Sequence, residues 1–329
     1  MRLSIVTINY NNAEGLRKTL ASVASQTYRD IEHIIVDAAS TDGSIEVIKE
    51  YESLNHSSVH PLTITWTSEK DKGIYDGMNK GIEIALGRRV VSALNRSELV
   101  EDKHSEADRP EGTGVETKVC ADYIQILNSG DILAADDVTE RMFAALESSN
   151  PLTSNPLNEN RFAIFYGNMI RDFGSGKLCR DTIKAEGMAR EVEWTMYDFI
   201  SGTVNHDPTY IHKSLYEKYG LYDDSLKICS DWKWFVNAVV FGGEKLYYVP
   251  VDITIFDTAG ISETNLAFRE QERNAELEKM LPAAILKDYY AYHFPIDQIK
   301  RLKNHHLWGL VYLIERVLFK LEKWRVLRK

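Results

Sequence analysis

The sequence predicts an α/β protein in which helices flank a mainly parallel sheet and a helical extension follows at the C-terminus. Two observations predict it. Three strand-then-helix patterns succeed one another within the first 87 residues, and parallel neighbours need such crossovers to pair. From about Ser262 onward the pattern becomes helical throughout.

The first strand is "LSIVTIN", residues 3–9, an almost unbroken apolar run with β-branched residues, as expected of a strand covered on both faces. A helix follows in which Leu16, Leu20 and Val23 share one stripe, with Asn11 or Asn12 placed to cap its free amides. "IEHIIVD" (31–37) and a helix carrying Ile45, Ile48 and Tyr51 repeat the unit. "LTITWTS" (62–68) and a helix carrying Ile74, Met78 and Ile82 repeat it again.

Residues 88–120 break the rhythm with mixed charge, Pro110, Gly112 and Gly114, and are expected to form a flexible insertion. The sheet is expected to resume at "ADYIQIL" (121–127), followed by the turn "NSGD" and a helix from about Ala135. A hairpin is expected around "GSG" (174–176), with further strands in "PTYIHKS" and "KLYYVPVDITIF" and helices in "KSLYEKYG" and "DWKWFVNAVVFGG".

Composition narrows the function. The net charge of −10 and pI near 5.5 argue against a general nucleic-acid binder, which needs a dominant basic surface. Cys120, Cys179 and Cys229 lie far apart without a CxxC pair, which suggests neither a disulfide framework nor a zinc ribbon and suits a reducing compartment. No run reaches the ~20 apolar residues of a spanning helix, and a cytoplasmic protein is expected.

In open α/β sheets ligands bind beyond the carboxyl ends of the strands. Those ends collect Thr7, Asn9 and Tyr10 after the first strand, Asp37 after the second, Asp71 after the third, and Asn128 and Asp131 after the fourth. "NYNNAEG" lacks the G-x-G-x-x-G of dinucleotide enzymes. Acids and amides facing a nucleotide diphosphate call for a divalent cation between them.

Here the chain resembles the inverting family 2 glycosyltransferases, whose GT-A fold has a Rossmann-like sheet, and especially bacterial members that build cell-surface polysaccharides. The stretches that carry the resemblance are "SIVTINYNN", "SQTYRDIEHIIVDAASTDGS", "SEKDKGIYDGMNKGI", "QILNSGDIL", "YGLYDDSLKICSDWKWF" and "FDTAGIS". They span residues 1–87 and 121 to about 262, and residues 1–262 are expected to form the catalytic domain, with 263–329 as the extension.

The resemblance implies a nucleotide-sugar donor, UDP-linked, and transfer of a hexosyl or N-acetylhexosaminyl group to a glycan or lipid-linked hydroxyl with inversion. It implies that Thr7, Tyr10 and Asp37 contact base and ribose, with Asn9 beside them in the substrate site, and that Asp71, Lys72 and Asn79 line the same pocket. Asn128 and Asp131 fall where the family carries a D-x-D-type cluster. Asp131 is the one carboxylate left in "NSGD", so it would bind Mg²⁺ or Mn²⁺ with reduced affinity. Asp231 falls at the position of the catalytic base. Trp232 and Trp234 beside it are expected to desolvate it, raise its pKa and offer an aromatic wall to a sugar. His206 falls near the acceptor site.

Two rivals stay open: a catalytically silent sugar-nucleotide-binding partner, and a nucleotidyltransferase, which would bring a glycine- and arginine-rich first loop that is missing here. Residues 305–329 combine apolar side chains with Lys320, Lys323, Arg325, Arg328 and Lys329. Such a helix suits either peripheral contact at the inner face of the membrane or packing, onto the catalytic domain or onto a second subunit in a homo-oligomer.

Overall fold

The computed structural model describes residues 1–59, 61–89, 91, 121–149, 163–174, 176–181 and 187–326. All but three residues of the 88–120 stretch therefore lie outside the described residues. Two compact units are present, Met1–Arg269 and Glu270–Lys329.

The first unit opens with the three expected repeats: β1 (Leu3–Asn9), α1 (Ala13–Ala24), β2 (Ile31–Asp37), α2 (Ser44–His56), β3 (Thr63–Ser68) and α3 (Ile74–Ala85). β4 (Tyr123–Ile126) is followed by a short β5 (Ile132–Leu133) and then α4 (Val138–Ser149), three residues later than the sequence pattern places it. The hairpin is β6 (Ile164–Asp172) with β7 (Leu178–Asp181). Next come β8 (Arg190–Val192), α5 (Met196–Ser201), β9 (Thr209–His212), α6 (Lys213–Tyr219) and α7 (Ser230–Phe235), which runs on as a π-helical stretch over Val236–Phe241. β10 (Leu246–Asp257) and α8 (Ile261–Thr264) precede α9 (Leu266–Met280), α10 (Ala283–Asn304) and α11 (Trp308–Val326).

The sheet order is β3-β2-β1-β4-β9-β6-β10-β5, with β7 on β6 and β8 on β10. β3, β2, β1 and β4 are mutually parallel. Beyond them the strand directions are mixed. β9 runs antiparallel to both β4 and β6, while β6 and β10 pair in parallel. The chain supplies helical crossovers between its first strands, whereas β9 enters from the loop after α5 and so is not bound to their direction.

Packing explains the layers. Leu16, Leu20, Val47, Ile48 and Trp66 close over Ile35 on one face, and α4 packs Met142, Phe143 and Leu146 against Leu3, Ile5 and Tyr123. α3 covers β1, and there Gly81 permits a close approach, since a methyl group at its Cα would fall inside the van der Waals envelope of Val6 Cγ1. Glycine inside a helix costs about 1 kcal/mol relative to alanine; here that cost accompanies tight helix-on-sheet packing. The outcome is that the first turns of α1 and α3 stand at the carboxyl ends of β1, β2 and β3.

Candidate active site

At the end of β2 the Asp37 carboxylate is fully buried. It accepts from Asn9 Nδ2 (2.8 Å), the Ser40 amide (2.9 Å) and Ser68 Oγ (2.7 Å), tying the ends of three strands together. Tyr10 stands beyond this knot, 68% exposed, with an open ring face. Asn11 joins the two loops: its amide donates to Ser40 Oγ and its Oδ1 accepts from the Thr41 amide, both at 2.8 Å. Asn12 Oδ1 caps α1 by accepting from the Gly15 amide (3.1 Å), while Nδ2 donates to the Ser129 carbonyl (3.0 Å). The first-strand loop and the "NSGD" turn are therefore directly joined.

Within that turn Gly130 has φ of +108°, which side chains with a Cβ seldom adopt. Its amide donates to Thr19 Oγ1 (3.0 Å), whose hydroxyl in turn donates to the Asp131 carbonyl (2.7 Å). Asp131 points inward, 3% exposed, and Oδ1 accepts from the Asp257 amide at 2.8 Å. Asp207 lies beside it. Burial pushes both carboxyls above the usual carboxylate range; the charge of Asp207 raises Asp131 further, while Asp231 raises Asp207 and the His206 charge and the hydrogen bond to Asp131 hold it back, the pattern of a pair that shares one proton.

Asp231 enters from the first turn of α7, 8% exposed. Its Oδ1 accepts from Tyr75 OH of α3 (2.8 Å) and its Oδ2 pairs with His206 Nδ1 (2.9 Å). Burial alone would raise its pKa. The His206 hydrogen bond and charge, with the Tyr75 donor, outweigh burial and hold it below the usual range. The same field works in reverse on His206: burial disfavours the imidazolium, but Asp207 and Asp231 prevail and lift it to about 9. The far nitrogen, Nε2, faces Asn128 Nδ2 at 3.1 Å, and Asn128 Oδ1 is buried without a hydrogen-bond partner. A charged imidazole needs an acceptor at Nε2: Asp207 Oδ1 stands 3.5 Å away, and the Asn128 amide supplies a second when its oxygen faces the ring.

Several expected contributors stand elsewhere. Thr7 lies in the interior, its hydroxyl bonded to His33 Nε2 (3.0 Å), because strand alternation turns it toward α2 rather than to the end of the sheet. Asn79 clamps the chain at Tyr222, donating to its carbonyl (2.8 Å) and accepting from its amide (2.9 Å), so both ends of the amide are spent on folding. Lys72 is exposed and reaches Asp224 at 3.5 Å. Asp71 is half-buried, accepts from the Gly73 amide (3.0 Å), and is raised by burial, with Asp76 and Asp37 adding to the effect. Trp232 is 1% exposed and donates to the Phe199 carbonyl, and Trp234 packs on Tyr216. The expected aromatic wall is core, and the pKa of Asp231 moves down, not up, since a cationic histidine rather than two indoles governs it.

A Mg²⁺ or Mn²⁺ site at Asp131 can be tested on the donor set. Among the described residues no three His, Cys, Asp or Glu side chains are grouped to hold a metal. Asp131 already spends one oxygen on the Asp257 amide. Among the described residues the side chains do not form a preformed cage for a divalent ion.

The sequence reading missed Tyr75 and Asp207. The signal for Tyr75 was present: a tyrosine on a buried helical stripe must find a partner for its hydroxyl.

A sheet with a parallel half, and an acid–amide–imidazole cluster beyond its strand ends, is the arrangement of a GT-A fold. Comparisons agree. The glycosyl transferase family 2 model matches residues 4–94. An uncharacterised glycosyltransferase of Mycobacterium tuberculosis is 25% identical over 88% of this chain and 89% of its own length. A putative teichuronic acid biosynthesis glycosyltransferase of Bacillus subtilis is 31% identical over 31% of this chain and 38% of its own. Among solved structures, TarS 1–349 of S. aureus in complex with UDP-GlcNAc superimposes with a TM-score of 0.53 at 14% identity over 80% of this chain. The match spans 61% of that chain's length, about three fifths, and shows the shared fold. Residues 4–94 match the family 2 glycosyl transferase model, and the chain as a whole is similar to bacterial glycosyltransferases.

Proposed function

We propose that the protein transfers a sugar from a UDP-linked donor to a hydroxyl of a glycan or glycolipid, inverting the anomeric centre, in the synthesis of a bacterial surface polysaccharide. The observation that carries the reading is the Asp231 carboxylate, ionised in the interior and gripped at both oxygens by Tyr75 and His206. An acceptor hydroxyl attacking the anomeric carbon must lose a proton, and a fixed carboxylate is suited to take it. Each Asp231 oxygen keeps a further lone pair for that proton.

The donor would lie across Tyr10, with Asn9 and Asp37 shaping the floor beneath it and Asp71 at its edge. Support for a UDP-linked sugar comes from TarS, solved with UDP and with UDP-GlcNAc; support for a surface polysaccharide comes from the Bacillus relative's name. The family commonly uses a divalent cation, and Mg²⁺ or Mn²⁺ would here rely on the donor's own phosphates and on water more than on Asp131. Work at the inner face of the membrane follows if the acceptor is lipid-linked.

The test is Asp231→Asn, with donor binding and transfer measured separately. Transfer should fall at least about a hundredfold while UDP-sugar binding, read by thermal stabilisation, stays within a few-fold. A fully active variant would remove Asp231 from the chemistry. Magnetic resonance of the product reads the anomeric configuration, and retention would overturn the inverting mechanism.

A further inference from the structure

α11 is unusual for an element of a water-soluble enzyme. Leu310, Tyr312, Leu313, Ile314, Leu318 and Phe319 all stand more than half exposed, and they spread round most of the helix. Contiguous exposed apolar surface of this extent marks a partner. Its length limits the choice. Residues 307–319 span about 20 Å as a helix, short of the ~30 Å hydrocarbon core, and no helix among the described residues is long and apolar enough to cross a membrane.

Charge narrows it further. Residues 300–329 carry nine Lys and Arg against two Glu, in a chain whose overall net charge is −10. The basic residues bracket the apolar ones: Arg301 and Lys303 lie before them, Arg316 and Lys320 among them. Lys303 Nζ sits 5.1 Å above the Trp308 ring, a cation and an indole together at one end of the apolar stretch. An indole and lysines beside an apolar helix that is too short to span are the arrangement of an interfacial segment. A second copy of the same basic helix would bring like charges together, which disfavours self-association.

We infer that α11 is a docking element for an anionic lipid surface, seating its apolar side chains at the headgroup boundary and its cations against acidic headgroups. The inference does not depend on the transferase reading.

Flotation of the full-length protein with vesicles of phosphatidylcholine alone, or containing 30 mol% phosphatidylglycerol, tests it. Binding is expected to the anionic vesicles only, weakened at least about tenfold by 0.5 M salt. Leu313→Glu with Phe319→Glu, both exposed and so harmless to the fold, should abolish it. Arg316→Gln with Lys320→Gln should weaken it roughly thirtyfold. Asp231→Asn should float like the wild type, which separates this inference from the proposed chemistry. It is overturned by absence of flotation with anionic vesicles, by equal flotation of the Leu313/Phe319 variant, or by a wild-type dimer that ignores vesicles and dissociates in that variant.

Discussion

Tyr75 on α3 and Asp231 on α7 meet through a 2.8 Å hydroxyl–carboxylate hydrogen bond although 156 residues separate them in the chain. The same hydroxyl lies 2.6 Å from the Ile228 carbonyl, so one proton serves two acceptors. Tyr75 therefore both anchors α7 and orients its acid.

Replacing Tyr75 with Phe should separate those duties from binding. Turnover should drop about ten- to a hundredfold with the KM for donor little changed, since the lost bond positions the base rather than the nucleotide. Leaving a buried acceptor short of its donor costs about 1–3 kcal/mol, visible in urea unfolding.

The His206–Asp231 pair makes stability depend on pH in a defined way. His206 is raised in the folded protein to about 9, above its ordinary ~6.5. Its contribution is therefore complete below about 6.5 and is lost as pH climbs through about 9. Asp231 is lowered, so its contribution is present above the ordinary carboxylate value and disappears only as acid brings the pH down through its folded pKa. Tm measured from pH 6 to 9.5 should decline, and His206→Gln should flatten that alkaline decline.

Asn79→Ala should reduce stability by about 1–3 kcal/mol, because the amide and carbonyl of Tyr222 both lose their partner. Donor affinity should stay within a few-fold, and a large loss of UDP-sugar binding by calorimetry would return Asn79 to the nucleotide pocket.

Gly81→Ala should destabilise the catalytic unit by about 1–3 kcal/mol through overpacking against Val6. Val6→Ala in the same chain should recover part of the loss, so the two changes together cost less than their sum in a denaturation cycle.

Much of this architecture was legible in the sequence because the first three strands and helices follow their periods closely: every residue of "IEHIIVD" is buried, and α3 buries Met78 and Ile82 as its spacing requires. Motif likeness brought Asp231, His206, Asn128 and Asp131 onto one short list, and the structure joins them through His206 and Asp207. Polar residues failed where their partners come from afar. Nothing local tells Thr7 that His33 is waiting on the next strand, or Trp232 that its indole will meet the Phe199 carbonyl. The antiparallel entry of β9 was equally hidden, since four residues carry no record of direction.

Asn12 gives the molecule a property that bears on engineering. One amide both starts α1 and holds the backbone carbonyl of Ser129, so the staple depends on the residue at position 12 and not on the side chains at 128–131. A chimera that imports a first loop without an amide at position 12 would lose it, whereas a library that varies side chains in the tetrad would keep it. Libraries meant to alter the tetrad should therefore hold Asn12 fixed.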